Sequence, residues 1–145
     1  MELVCDVGAS VGPVVRVPLT VHDGGTVEVS ARIRVAGQYA LWLYFCRANV
    51  PFEKMAQLLG EKLSGHSSGV PIPIRWEVLD AVGGAELASG DQITNGSNSW
   101  SRSEAGRLIS FLQLSPGLVR LRATIKSPVP QFAEIQSHLE LEFPK

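Results

Sequence analysis

The chain has 145 residues, 45% of them hydrophobic and 19% charged, which is the composition of a folded globular protein and excludes an intrinsically disordered one. Thirteen Lys and Arg residues against fourteen Asp and Glu residues give a formal net charge of −1, so no overall positive charge favours nucleic acid as a partner. A chain of this length fits one domain, which we predict over residues 1–145. The longest apolar run covers only residues 39–46, so we predict no transmembrane segment.

The cysteines and the first residues bear on the compartment. Cys5 and Cys46 offer at most one disulfide and cannot form a metal site by themselves. No charged-then-apolar leader is recognisable at the N-terminus. We therefore expect a protein of the periplasm or cell envelope if an export signal has been removed, and a cytoplasmic protein otherwise.

Strand patterns begin close to the N-terminus. Residues 14–21 have strand composition, but Pro18 has no backbone N–H to donate, so this segment is predicted to form a sheet edge. Residues 26–35 alternate strictly between apolar and polar side chains, as a half-buried strand requires. The apolar segment 39–47 follows a short reversal at residues 36–38, and the two segments are predicted to pair as a hairpin.

Residues 51–64 form the one segment with helical spacing. Four apolar side chains fall on one side of such a helix: Phe52, Met55, Leu59 and Leu63. Pro51 suits the first turn, where its missing N–H costs nothing. We therefore predict a single helix inserted among strands.

The predicted helix is followed by the sequence GHSSG at residues 65–69, which matches the G-x-S-x-G spelling of the nucleophile elbow in lipases and esterases. In that elbow a strand precedes the serine and a helix follows it, whereas here the helix precedes and a strand follows. Both glycines suit the end of a helix and the entry to a strand. We predict that Ser67 is not a catalytic residue and that the protein is not an enzyme.

Strand-like alternation recurs in four later segments: 70–79, 107–114, 118–125 and 138–143. Residues 115–117 read Ser-Pro-Gly, which favours a tight turn, so the strands on either side are predicted to form a second hairpin. Residues 80–106 are predicted to form a long polar loop, with one weak strand near residues 85–90. The pattern indicates a mainly β protein, an antiparallel β-sandwich of about seven strands with one inserted helix.

The polar loop contains the candidate binding residues Asn98, Trp100 and Arg102. Trp and Arg are the residue types that anchor interfaces when a loop holds them in the open. The alternative is a loop whose Trp100 packs back onto the sandwich. Trp42 and Tyr44 could form a surface on which a sugar ring stacks, but packing between the sheets or under the helix explains them better in so apolar a strand.

Histidines and acidic residues do not suggest a reaction. His22, His66 and His138 lack the spacing of a metal site, and exposed or structural positions explain them better. Glu140 and Glu142 alternate along one strand, as residues of a solvated face do. We therefore predict no catalytic residues, no metal site and no cofactor.

Four segments together resemble a known family: RVAGQYALWLYFCR (34–47), FEKMAQLLG (52–60), GVPIPIRWEV (69–78) and SRSEAGRLISFLQLSPGLVRLRATIKSPVPQFAEI (101–135). From about Val14 to the end, the chain resembles an uncharacterised proteobacterial family of small β-sandwich domains often found in exported lipoproteins. The family has no assigned activity, so the resemblance implies a fold and a compartment but no catalytic residues. The chain departs from the family pattern in having Val119 where an aromatic residue is expected and in lacking a lipobox around Cys5.

These observations predict a non-enzymatic protein-interaction domain of the bacterial cell envelope, whose partner is another protein. Some envelope lipoproteins of similar size are immunity partners of secreted toxins, so the resemblance implies toxin neutralisation as one form of this function. The alternative is a carbohydrate- or small-ligand-binding β-sandwich module that uses Trp42, Tyr44 or Trp100. The sequence leaves the oligomeric state open.

Overall fold

A computed structural model of the protein describes residues 13–48, 50–60, 69–97, 99–101 and 103–143. Within these ranges the chain forms nine β-strands, one α-helix and one short 3-10 helix. In chain order the elements are β1 (Pro13–Pro18), β2 (Thr26–Ile33), β3 (Gly37–Cys46), α1 (Phe52–Leu59), β4 (Ile72–Asp80), β5 (Glu86–Thr94), β6 (Ser99–Trp100), β7 (Glu104–Leu114), β8 (Gly117–Ile125), the 3-10 helix (Pro130–Phe132) and β9 (Ser137–Glu142).

The strands form two antiparallel sheets packed as a β-sandwich, which confirms the predicted fold class. The first sheet has the strand order β1-β9-β3-β7-β6, and the second has the order β2-β8-β4-β5. Alternate apolar side chains of both sheets form one core. The alternation predicted for residues 26–35 is confirmed in β2, where Ala31 and Ile33 are buried while Glu28 and Arg32 are exposed.

Both predicted hairpins are wrong. β2 pairs with β8, whereas β3 pairs with β7 and β9, so residues 34–36 connect the two sheets. Residues 115–116 likewise connect β7 in the first sheet to β8 in the second. Turn residues indicate that the chain reverses, but they do not indicate whether the next strand pairs with the last or crosses to the facing sheet. A hairpin does form between β4 and β5.

Residues 80–106, predicted to form a long polar loop, contain β5 and the two-residue β6. β5 pairs with β4 along its length, but most of its side chains are exposed at the sheet edge, so its sequence lacks apolar alternation. The weak strand signal near residues 85–90 marks the start of β5. The described residues therefore contain nine strands rather than about seven.

The segment predicted to be helical, residues 51–64, contains α1. α1 covers Phe52–Leu59 and is followed by Gly60, whose φ of 89° favours glycine. Residues 61–68, with His66 and Ser67, lie outside the described residues. α1 precedes this segment and β4 follows it, which is the predicted order of elements and the reverse of the order in a nucleophile elbow.

An ion-pair ladder covers the outer face of the second sheet. Arg122 lies between Glu28, at 3.0 Å, and Glu77, at 3.4 Å, and Arg75 lies 2.9 Å from Asp91. Exposed pairs of this kind each contribute little to stability and are typical of a solvated face.

The connections divide between the two ends of the sandwich. One end has the β2–β3, β4–β5 and β7–β8 connections. The other, which we call the helix end, has the β1–β2 connection, α1, the loop from β5 to β7, and the 3-10 helix. The candidate sites described below lie at or next to the helix end.

Candidate functional site

The candidate binding residue Trp100 lies on β6 at the helix end, where it is partly buried and packs against the core, as the alternative interpretation predicted. Its indole Nε1 donates to Ser97 Oγ at 2.6 Å, and Ser97 Oγ donates in turn to the Gly60 carbonyl oxygen at 2.7 Å. Trp100 is therefore fixed to the C-terminal end of α1. Asn98 and Arg102, predicted beside it, lie outside the described residues.

Two further side chains surround Trp100. The ring centroids of Phe52 and Trp100 are 5.3 Å apart. The guanidinium carbon of Arg47 lies 5.1 Å from the Trp100 ring centroid and 5.7 Å from that of Phe52. Arg47 also donates from Nη1 to the Ser101 carbonyl oxygen. We call Arg47, Phe52 and Trp100 the aromatic cluster.

Phe52 differs from the prediction that placed it on a helical stripe with Met55 and Leu59. Those two residues are buried, whereas Phe52 is 51% exposed, because it begins the helix at the surface. The helical spacing thus predicted which side of the helix is apolar, but not that the first residue of that side is exposed. The exposed part of the Phe52 ring gives the aromatic cluster an apolar surface.

The C-terminal end of α1 is held by Arg107, a fully buried residue of β7. Its Nη2 donates to the carbonyl oxygens of Leu58, at 3.2 Å, and Leu59, at 3.0 Å. Its Nη1 donates to those of Val70, at 2.8 Å, and Thr94, at 3.1 Å. Burial lowers the pKa of Arg107 to about 10, so the guanidinium stays protonated at neutral pH. Arg107 thereby satisfies carbonyls that a helix end leaves unpaired.

A group of polar residues lies on the outer face of the first sheet. Arg16 donates from Nη1 to Glu140 Oε1 at 2.5 Å and from Nη2 to Glu104 Oε2. His138 Nε2 lies 3.0 Å from the same Glu104 oxygen. Glu140 and His138 are buried, so the predicted solvated face is wrong for Glu140, whose burial is offset by its pairing with Arg16. We call Arg16, Glu104, His138 and Glu140 the polar network.

The charges of the polar network support one another. Burial opposes the ionisation of Glu104, but hydrogen bonds from His138 and Arg16 hold the pKa of Glu104 below its usual range. Burial likewise opposes the charge of Arg16, but its two carboxylate partners raise the pKa of Arg16 above its usual value. The Arg16–Glu104 pair is therefore ionised at neutral pH.

We expect Glu142, two residues after Glu140 on β9, to make stability depend on pH. Burial raises the pKa of Glu142 to about 7, and the neighbouring Glu140 contributes to the shift. Since the unfolded value is about 4.3, the folded protein binds more protons between these pH values, and stability falls as pH rises through this window. We expect Glu142→Gln to flatten this dependence in thermal melts between pH 5 and pH 8. The effect should stay below about 1 kcal/mol, because solvent screens a partly exposed carboxyl.

The matched control for this prediction is Glu86→Gln, since Glu86 is exposed on β5. This variant should keep the wild-type pH dependence. The lower limit of pH 5 keeps Glu104 ionised, because the pKa of Glu104 lies below its usual range. A Glu142→Gln protein that loses as much stability as the wild type between pH 5 and pH 8 would show that the dependence has another source.

Trp42 and Tyr44 lie on the same outer face, not between the sheets or under the helix as predicted. Their ring centroids are 5.4 Å apart with an interplanar angle of 21°, and Tyr44 stacks in turn on His138 at 6.1 Å. A Cβ at Gly106 would lie 2.6 Å from Tyr44 Cε1, so this glycine makes room for the ring against β7. The two stacked rings are each partly buried on this face.

A cleft of about 610 Å³ opens beside the polar network. It lies between the end of β1 and the segment that leads into β9, and it is lined by residues 16–20, His22 and residues 133–138. Arg16 and His138 belong both to its lining and to the polar network. A cleft of this size accommodates a small organic ligand.

Sequence reasoning identified Trp100 but missed the residues around it. Arg47 follows β3, Phe52 begins α1 and Trp100 ends β6. These three residues therefore meet only when the three elements converge at the helix end. Arg16 and His138 likewise meet because β1 pairs with β9. No local spacing signals either group; only a prediction of strand pairing would have revealed them.

Cys46, at the end of β3, takes part in a disulfide. The other cysteine of the sequence, Cys5, lies outside the described residues, so the Cys5–Cys46 pair stays a prediction. In the part of the chain that the structure describes, no three His, Cys, Asp or Glu residues are grouped so that they could hold a metal ion. No helix among the described residues has the length and apolar character needed to cross a bilayer.

Comparisons with known proteins place most of the chain in one family. The model of a family described as a domain of unknown function (DUF5625) matches residues 16–143. This match confirms the resemblance to an uncharacterised domain family, whereas proteobacterial origin and association with lipoproteins stay predictions. A search of curated proteins finds no match.

Among solved structures, a crystal structure of a protein from Sulfurospirillum deleyianum is 16% identical and superposes with a TM-score of 0.73. The alignment covers 90% of this chain and 97% of that protein, which shows a shared fold. The native structure of a family 35 carbohydrate binding module from Clostridium thermocellum is 19% identical over 87% of this chain and 86% of that module. Its TM-score of 0.39 is too low to bear on fold or ligand.

Proposed function

Because the chain belongs to the DUF5625 family, whose function is unknown, we propose a function from the geometry of the site. We propose that the protein is a non-enzymatic interaction domain of the bacterial cell envelope that binds another protein through the aromatic cluster at its helix end. The aromatic cluster carries this proposal, because Trp and Arg are the residue types that most often dominate the binding energy of protein interfaces, and Phe is enriched in them.

The aromatic cluster is organised before a partner arrives. Trp100 is fixed by its hydrogen bond to Ser97, and Arg47 is fixed by its hydrogen bond to the Ser101 carbonyl oxygen. Neither side chain therefore loses much conformational freedom on binding. The exposed part of Phe52 supplies apolar area beside them. The guanidinium of Arg47 has further N–H donors for a carboxylate of the partner. A partner surface with an apolar centre and an acidic rim would therefore fit.

The disulfide at Cys46 supports the envelope as the compartment, because disulfides persist in oxidising compartments and are rare in the bacterial cytosol. Within the envelope, the resemblance to exported lipoproteins favours a secreted toxin as the partner, which an immunity-type protein would neutralise by covering its active surface. Fractionation of cells that make the protein tests the compartment. Identification of the partner tests toxin neutralisation.

We expect the double variant Phe52→Ala, Trp100→Ala to lose the partner. Both rings are truncated, while the buried residues of α1 stay in place. Truncation of interface anchors costs more than about 1 kcal/mol each, so the double variant should raise the Kd by roughly 30-fold or more. The wild-type domain is used to capture and identify the partner, and the purified partner is then titrated against both proteins by calorimetry.

The control is Val82→Ala, which removes a side chain that is 90% exposed at the opposite end of the sandwich. It should bind the partner as tightly as the wild type does. Equal affinity of the double variant would contradict the aromatic cluster as the contact surface. If the wild type captures no protein from the native envelope, the interaction function itself is contradicted.

The cleft supports a second candidate function, the binding of a carbohydrate or another small ligand. It combines apolar side chains such as Val17, Leu19 and Ile135 with the charged Arg16 and the buried His138. Ligand clefts have this mixture of apolar walls and a few convergent polar groups. Thermal stabilisation of the protein by a member of a glycan and metabolite panel tests this candidate. The stabilisation should disappear in Ala133→Trp, which fills the cleft from an exposed position of its lining.

A further inference from the structure

β5 differs from the other edge strands in the described part of the chain. β1 contains Pro13 and Pro18, which cannot donate to a further strand, and β6 has two residues. β2 has the basic Arg32 on its exposed face, whereas the exposed charges of β5, Glu86 and Asp91, are both acidic. β5 has nine residues and contains no proline, lysine or arginine, and among the described residues it pairs with β4 alone, on one side. Such an edge presents unpaired backbone N–H and C=O groups to another strand.

Two exposed apolar side chains lie on β5. Leu87 is 53% exposed and Ile93 is 68% exposed. Ile93 lies on the outer face of the sheet with Asp91, which pairs there with Arg75. Residues 88–94 of β5 pair regularly with β4. Leu87 is the extra residue of a bulge in β5, because Val78 pairs with Ala88 and Leu79 with Glu86. One exposed apolar side chain therefore stands near each end of the strand.

We propose that β5 pairs with β5 of a second copy of the chain, antiparallel and with the two-fold axis at Gly90. In this register Leu87 of each copy lies opposite Ile93 of the other, and Ser89 lies opposite Asp91. Both exposed apolar side chains of each copy then gain an apolar neighbour. The self-complementary order of residues along the strand identifies a second copy as the occupant.

Neighbouring registers are less favourable. An axis at Asp91 would place two like charges directly opposite each other, and an axis at Ser89 would place Leu87 opposite Asp91. If the two-fold axis fell between two neighbouring residues of β5, the outer face of one copy's sheet would continue into the inner face of the other copy's sheet. The order of residues 87–93 thus selects the axis at Gly90.

The test replaces the same two residues in two ways and measures mass by sedimentation velocity over a wide range of protein concentration. Leu87→Glu with Ile93→Lys places opposite charges across the two-fold axis and should preserve the dimer. Leu87→Lys with Ile93→Lys places like charges there and should raise the dimerisation Kd by about tenfold or more. Val82→Lys adds one charge at an exposed site off the edge strand and should leave the dimer unchanged.

The wild type should move towards twice the monomer mass as its concentration rises, because an edge pairing of this length is a small interface. A wild type that stays monomeric at the highest concentrations would overturn the proposal, even if β5 pairs with a strand of another protein. A dimer that survives the like-charge variant would also overturn it, since that dimer uses another surface. The proposal is independent of the aromatic cluster, because that cluster lies on β6 and α1 and at the end of β3.

Discussion

Arg107→Met is expected to lower the free energy of unfolding by about 3 to 5 kcal/mol, measured by urea denaturation with the disulfide intact. Methionine fills much of the same volume but donates no hydrogen bonds, so the carbonyl oxygens of Leu58, Leu59, Val70 and Thr94 lose the guanidinium. Of these, the Leu58 oxygen still accepts from the Val70 N–H. A buried polar group without a partner pays its full desolvation penalty. The loss therefore comes from the acceptors left behind more than from the missing charge.

Two further variants separate this effect from the general cost of removing an arginine. Arg32→Met makes the same change at an exposed position of β2 and should alter stability by less than about 0.5 kcal/mol. Arg107→Lys keeps the charge, but one ammonium group cannot reach carbonyls on both α1 and the strands, so its loss should be intermediate. A loss below about 1 kcal/mol for Arg107→Met would contradict the anchoring role of this side chain.

Arg107 also connects stability to the proposed function. It fixes the C-terminal end of α1, and α1 begins with Phe52 of the aromatic cluster. Ser97 fixes the same helix end through the Gly60 carbonyl and holds Trp100 through its indole N–H. The two aromatic side chains are thus positioned by one set of buried hydrogen bonds, and Arg107→Met should weaken partner binding although it leaves both rings unchanged.

The sequence predicted which faces of the strands are buried better than it predicted which strands pair. Period-two alternation depends only on local order, so the buried and exposed sides of β2 follow directly from residues 26–35. Pairing depends on contacts between distant segments, such as β2 with β8 and β1 with β9. Glycine and proline near residues 36 and 116 indicate that the chain reverses, but a hairpin and a connection between the two sheets both need such a reversal. Two connections between the sheets were therefore predicted as hairpins.

Part of the site was predictable, and a bulge explains why Arg107 was not. Trp100 could be identified because an aromatic residue in a polar loop is unusual in itself. In β7, the register shift opposite Leu41 and Trp42 puts the alternation before it out of phase with the alternation after it. If the alternation were regular from the buried Leu112 back towards the start of β7, Arg107 would lie on the solvent-exposed face of the sheet. The bulge reverses the alternation, so the Arg107 side chain points into the core.

Gly69, the last residue of the G-x-S-x-G stretch, lies where the chain returns against the end of α1. A Cβ at this position would lie 2.5 Å from the Gly60 nitrogen and 2.6 Å from the Leu59 carbonyl oxygen. Beside it, the Val70 N–H donates to the Leu58 carbonyl oxygen at 2.6 Å. Gly69 also has a φ of +77°, which residues with a side chain rarely adopt. Close approach and conformation therefore both require glycine here.

We expect Gly69→Ala to destabilise the protein by about 3 kcal/mol or more, with roughly 1 kcal/mol from the positive φ and the rest from displaced backbone. Gly84→Ala is the matched control, because Gly84 has a φ of +76° and nothing lies within 4 Å of a Cβ built there. The difference between the two free energies of unfolding isolates the contact with α1. Equal losses would show that α1 moves aside at no cost, whereas a difference near 2 kcal/mol would assign Gly69 to the packing of α1 against the start of β4.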